Sequence, residues 1–119
     1  MSLRHDSILT PEAETFLAEW TAPTPDITAH TSGSTGTPKE IRLSKADMRA
    51  SAHATIEFFG LNSDSTLALP LSPDYIAGKM HIVRAFEAGC RIVTEKPSSQ
   101  PLATFPYGRC TLVPIVPSQ

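Results

Sequence analysis

A chain of 119 residues with 40% apolar and 18% charged side chains has the material for one domain-sized core and not for two. Ten basic and 12 acidic residues leave a formal net charge of −2 with no basic stripe, which gives nucleic acid no electrostatic footprint. No apolar run reaches the roughly 18 residues of a membrane span, and MSLRHDSILTPE lacks the apolar core of a secretory signal, so a cytoplasmic location is expected.

Residues 11–20 read as a helix: Thr10 is placed to cap it, Pro11 fits the first position, Glu12 and Glu14 favour its positive end, and Phe16, Leu17 and Trp20 share a face. The prolines of TAPTPD then break it and make a connector. Residues 27–30 and 40–43 are short strand candidates on either side of TSGSTGTPK. Ser44 and Asp47 open a capping pattern for a helix over Lys45–Phe59, with Met48, Ala52, Ile56 and Phe59 at helical spacing and Gly60 as its stop. The apolar run at 66–71 suits a buried strand. A helix is expected directly after it, capped by Ser72 with Pro73 and Asp74 in its first turn, with Ile76, Met80 and Val83 as its stripe and Gly89 as its end. Residues 90–94 and 111–116 read as further strands. Strands alternating with helices predict an α/β fold with a mainly parallel sheet and flanking helices. Residues 1–26 form an N-terminal helix and connector, and 27–119 the α/β domain proper. Cys90 and Cys110 are expected to be thiols in a chain without an export signal. His5, His53 and His81 show no metal-ligand spacing and are expected to be structural, so no metal site is assigned. His30 stands apart because it adjoins the loop.

The segment after His30 concentrates the chemistry. Thr31, Ser32, Ser34, Thr35 and Thr37 supply hydroxyls, Gly33 and Gly36 let backbone N–H groups turn inward, and Lys39 adds a mobile cation. That combination suits a polyphosphate, and its composition equally suits a flexible linker. A Walker A loop runs from Gly-Lys-Ser/Thr straight into a helix; here Pro38 precedes the lysine and a strand candidate follows it, so the P-loop reading fails. There is also no Gly-x-Ser-x-Gly elbow to carry a serine hydrolase.

The nine residues TSGSTGTPK resemble the phosphate-binding signature of the adenylate-forming enzymes, among them acyl-CoA synthetases and peptide-synthetase adenylation domains. The resemblance implies an acid–thiol ligase that uses ATP with Mg2+ to form an acyl-adenylate and then passes the acyl group to coenzyme A. Thr31, Ser32, Gly33, Ser34, Thr35, Gly36, Thr37 and Lys39 would hold the phosphates, and Lys39 would act in catalysis. Leu69-Pro-Leu71 followed by Tyr75-Ile-Ala-Gly78 resembles the segment beside the acyl pocket of such enzymes, with two extra residues and Tyr75 where histidine is frequent. His30 stands where that family tends to carry an aromatic residue, and residues 113–119 resemble its next core strand.

Within that family, a short front end and the basic residues Lys79 and Arg84 most resemble the o-succinylbenzoate-CoA ligases of menaquinone biosynthesis. This implies a dicarboxylic acid substrate contacted by Tyr75, Gly78, Lys79 and Arg84, with Lys79 or Arg84 pairing the carboxylate that does not react. Read as residues alone, those two cations fit a solvated helix face. The family's downstream adenine motif, ribose-binding aspartate and distal lysine find no match in these residues, so the chain is expected to be an N-terminal part of such a domain. By itself it should bind ATP or pyrophosphate at millimolar concentration at best, about −4 kcal/mol, without turnover. The alternative reading is a non-catalytic nucleotide- or anion-binding module. A partial parallel sheet also predicts self-association through an open edge.

Overall fold

The computed structural model describes residues 2–30, 39–97 and 110–113. Seven elements follow in order: α1 (Pro11–Thr21), β1 (Asp26–His30), β2 (Glu40–Ser44), α2 (Lys45–Phe59), β3 (Thr66–Leu69), α3 (Ile76–Ala88) and β4 (Arg91–Thr94).

The first helix begins where its caps place it. The Ala13 N–H donates to Thr10 Oγ1 at 3.3 Å, and Ala13, Phe16 and Trp20 are buried, the two rings 6.4 Å apart. These residues belong to the same apolar cluster as Ile27, Met48, Leu67, Ile82 and Ile92, so the N-terminal helix is part of the one core.

The end of α1 is closed from a distance. The Lys45 ammonium is buried and donates to the carbonyls of Glu19 at 2.9 Å and Ala22 at 2.8 Å and to Thr24 Oγ1 at 2.9 Å. A cation on terminal carbonyls answers both their missing hydrogen bonds and the negative end of the helix dipole. Lys45→Met keeps the aliphatic stem and removes all three donors, so it is expected to cost about 2 kcal/mol, read as a lower urea midpoint at unchanged slope.

The second helix matches its sequence limits because both ends carry chemical stops: the Asp47 N–H donates to Ser44 Oγ at 3.3 Å, and Gly60 adopts φ 66°. Met48 and Ala52 are buried, but the expected stripe does not run to the end. Phe59 is 51% exposed and Phe58 82%, stacked edge to face 4.9 Å apart, because the last turn of α2 extends past the partners that cover Met48 and Ala52.

The strands form two pairs. The third and fourth run parallel, joined through α3, in register from Thr66 opposite Arg91 to Leu69 opposite Thr94. All four residues of β3 are buried, as expected for a strand covered on both faces. Parallel bridges extend this pair on both sides, Ile8 to Val93 and Leu112 to Leu67. The Ile8 N–H donates to the Ile92 carbonyl at 2.9 Å, and the Ala68 N–H to the Leu112 carbonyl at 3.0 Å. Each side of the β3–β4 pair is therefore met by one further bridge among the described residues. Of the strand expected at 111–116, only this bridge falls within the described residues. The other pair, β1 with β2, is antiparallel.

The third helix departs from its expected start. It begins at Ile76 with Tyr75 at its N-cap and no side-chain cap. Ser72 Oγ accepts instead from the Asp74 N–H at 3.1 Å, so residues 72–75 form a turn ahead of the helix and Asp74 caps nothing. Cys90 and Cys110 are both free thiols, and burial pushes Cys90 up to about 11.

Candidate nucleotide-phosphate site

The antiparallel pairing of β1 and β2 sets the geometry of the loop. In register, Asp26 faces Ser44, Ile27 Leu43, Thr28 Arg42, Ala29 Ile41 and His30 Glu40. Alternation turns Ile27 and Ala29 into the core and Thr28 and His30 outward. The ends of β1 and β2 are therefore paired at His30 and Glu40, with Lys39 directly before that pair. Thr31, Ser32, Gly33, Ser34, Thr35, Gly36, Thr37 and Pro38 lie outside the described residues. Lys39 and Glu40 are exposed, and His30 Nε2 stands 4.0 Å from Glu40 Oε2. A strand, not a helix, follows the lysine, which agrees with the rejection of a Walker A loop.

A second tie holds this end of the hairpin. The His30 N–H donates to the Asp74 carbonyl at 3.1 Å, and His30 bridges Tyr75 in parallel fashion. The end of β1 is thus bonded to the turn and N-cap that precede α3. Tyr75 is partly exposed there, and Gly78 lies one turn into the helix, buried against residues 72 and 73.

A cleft of about 410 Å³ lies beside this junction, lined by Thr10, Glu12, Ser72, Asp74, Glu95 and Lys96 among others, beyond the carboxyl ends of β3 and β4. Ligands of parallel sheets bind at that end of the strands. Its lining carries three carboxylates, Glu12, Asp74 and Glu95, and one cation, Lys96. A larger cleft, about 780 Å³, opens at the opposite end of the hairpin beside Asp26 and Ser44, where Lys45 is already committed to α1.

The two cations assigned to the acid are separated by the helix. They are five positions apart, about 140° around the axis at 100° per residue. Neither lies on a solvated face. Lys79 is 7% exposed, with Nζ 4.5 Å from the Phe16 ring centroid, and burial lowers its pKa against the pull of Glu19 and Asp74. It is tucked under α1. Arg84 is half-buried, its Nη1 3.4 Å from His81 Nδ1, and burial lowers its pKa also.

Two polar groups of α3 were not read as functional from the sequence. His81 is fully buried, Nε2 3.1 Å from the Leu112 carbonyl and Nδ1 3.4 Å from Arg84 Nη1. Burial lowers it to about 4, with the Arg84 charge acting in the same direction and hydrogen bonds to the backbone of Leu112 and Ala68 opposing. Its i, i+3 spacing to Arg84 was the signal available. Glu87, 5% exposed, takes His53 Nε2 at 2.8 Å and Arg49 Nε at 3.5 Å and so links α3 to α2. Among the described residues no group of three or more His, Cys, Asp or Glu side chains could hold a metal ion, and no helix is long and apolar enough to cross a membrane.

No family model matches the sequence, and no curated protein matches it. Among solved structures the chain is similar to an acyl-CoA synthetase (AMP-forming)/AMP-acid ligase II-like protein from Dyadobacter fermentans DSM 18053, at TM-score 0.76 and 35% identity over 86% of this chain. The match spans 29% of the length of that protein's chain. A Vibrio cholerae adenylation domain, AlmE, in complex with glycyl-adenosine-5'-phosphate, matches at TM-score 0.48 and 22% identity over 56% of this chain and 13% of its own. The α/β architecture is that of a segment of an AMP-forming acid ligase-like structure.

Proposed function

We propose that this chain carries the ATP-phosphate end of an AMP-forming acid–thiol ligase. The observation that carries the reading is the hairpin on either side of TSGSTGTPK: His30 pairs with Glu40, Lys39 directly precedes that pair, and the His30 N–H is bonded to the Asp74 carbonyl ahead of α3. The 35% identity to an AMP-forming ligase-like structure supports it.

In such a reaction a carboxylate oxygen attacks the α-phosphorus of ATP, the bond to the β-phosphate oxygen breaks, and pyrophosphate leaves. The thiol of coenzyme A then attacks the acyl carbon of the adenylate and expels AMP. Backbone N–H groups and hydroxyls of residues 31–37, with Lys39, would hold the β- and γ-phosphates, and Mg2+ arrives with the ATP. Positioning and neutralisation of the charge that builds on pyrophosphate supply the catalysis.

The acid we propose is a dicarboxylate of the o-succinylbenzoate kind, which would place the protein in menaquinone biosynthesis. We propose Arg84 in place of Lys79 as the partner of its second carboxylate, because Lys79 is enclosed against Phe16 while Arg84 is only half-buried. Tyr75 and Gly78 would border the reacting end.

ATP is expected to protect the bonds of residues 31–39 from proteolysis in the millimolar range, with protection lost in Lys39→Ala and retained in Arg84→Ala. Exchange of labelled pyrophosphate into ATP that depends on o-succinylbenzoate reports turnover. In a form that turns over, Lys39→Ala should lower the exchange about 10²-fold, the scale of losing one stabilising donor to transition-state charge. Protection without acid-dependent exchange in any form would instead make the chain a nucleotide-binding module, and absence of protection would remove the phosphate reading.

A further inference from the structure

The cleft at the Asp26 end of the hairpin has no role in the phosphate site. It measures about 780 Å³, a volume within the range of small-molecule sites, and opens where the end of α1, the start of β1 and the first turns of α2 come together. Four charged side chains line it, Asp26, Lys45, Arg49 and Glu87. Two of these are answered inside the fold. The buried Lys45 ammonium donates to three acceptors, and the Glu87 carboxylate, 5% exposed, takes His53 Nε2 at 2.8 Å and Arg49 Nε at 3.5 Å on one oxygen.

The other two face the cleft without a protein partner at their charged ends. Arg49 is 48% exposed and fixed at two points: its Cζ stands 5.4 Å from the Trp20 ring centroid, and its Nε lies against Glu87. A guanidinium held by one face and by Nε keeps both Nη groups, the end-on fork that grips a carboxylate through two parallel bonds. Asp26 forms no ion pair among the described residues, so the two opposite charges border one cleft without neutralising each other. Asp26 is in register with Ser44, the N-cap of α2, and Arg49 follows Ser44 by five residues, about 7.5 Å along the axis at 1.5 Å per residue.

We propose that this cleft binds a small zwitterion whose charges are several ångströms apart, with its carboxylate on the Nη fork of Arg49 and its ammonium on Asp26. The site does not depend on the ligase reading. Asp26 and Glu87 disfavour a polyanion there, and Lys45 and Arg49 disfavour a plain amine.

The test uses the 119-residue chain at low salt, where exposed charges are least screened. Trp20 is its one tryptophan and lies under Arg49, so its fluorescence and indole N–H shift report occupancy. 6-Aminohexanoate is expected to bind in the millimolar range, with hexanoate and 1-aminohexane, which carry one charge each, about tenfold weaker. Asp26→Asn should weaken 6-aminohexanoate about tenfold and tighten hexanoate about twofold, a reversal that loss of structure cannot produce. Arg49→Gln should weaken both acids about tenfold.

No response of Trp20 up to about 50 mM 6-aminohexanoate overturns the site, as does a response that Arg49→Gln and Asp26→Asn both leave unchanged. Hexanoate binding as tightly as 6-aminohexanoate overturns the zwitterion as its ligand. If Arg49→Gln unfolds, Arg49→Lys carries the test: it keeps the charge but lacks the fork, and wild-type affinity for 6-aminohexanoate would exclude fork recognition.

Discussion

Replacing Gly78 with alanine is expected to lower stability by about 3 kcal/mol or more and the melting temperature by roughly 10 °C. The position needs no positive φ; it needs room. A Cβ there would overlap the Ser72 carbonyl oxygen and lie 2.9 Å from Pro73 Cα, and both neighbours are backbone that no side-chain rotation can clear. Relief requires the first turn of α3 to move away from the 72–75 turn. That turn holds the Asp74 carbonyl, the acceptor for the His30 N–H at the base of the phosphate loop. The substitution should therefore also weaken ATP protection of residues 31–39, whereas Gly60→Ala, with open space around its Cβ, should cost only the strain of its φ of 66° and leave protection intact. Thermal melts with and without ATP separate the two. A Gly78→Ala chain as stable as the wild type would mean that α3 does not press against Ser72.

Acid should destabilise the fold through His81. The unfolded imidazole titrates near 6.5 and the buried one at about 4, so the native state resists the proton that the unfolded chain accepts. The stabilisation from keeping the ring neutral is fully present above about pH 6.5 and is lost as pH falls through about 4. Over that interval it amounts to about 3 kcal/mol at 1.36 kcal/mol per unit. The groups facing His81 oppose each other: the Arg84 cation disfavours the proton, the backbone hydrogen bonds at Leu112 and Ala68 favour it, and burial decides. Urea unfolding at pH 7 and pH 4 should show the drop, and His81→Gln, which has nothing to titrate there, should show a shallower one. Equal slopes in both chains would assign the acid sensitivity to carboxylates.

Much of the local structure was legible because local chemistry determines it. The second helix has both limits written in caps, Ser44 and Gly60, and α1 begins at Thr10-Pro11 for the same reason. The third helix was read three residues early because Pro73 suits a first helical turn. The residues on either side of it are bound elsewhere: the Ser72 carbonyl lies against Gly78, and the Asp74 carbonyl accepts from His30, a partner distant in sequence. Lys79 and Arg84 were read as one solvated face because their spacing shows charge and not what packs over it. Phe16 from α1 covers the first, and the Leu112 segment braces the neighbourhood of the second.

The sequence by itself determined the phosphate-loop composition, the succession of elements and the absence of a Walker lysine, since these depend on residue type and near spacing. Only the tertiary structure decided that His30 and Glu40 pair across the ends of β1 and β2 and that His30 is hydrogen-bonded to the turn before α3. It also decided that the histidine three residues before Arg84 is buried and neutral. Those outcomes follow from pairings across 31 to 44 residues, such as His30 with Asp74 and His81 with Leu112. The free energy of such contacts comes from desolvation and hydrogen bonding that exist only once the chain has closed on itself.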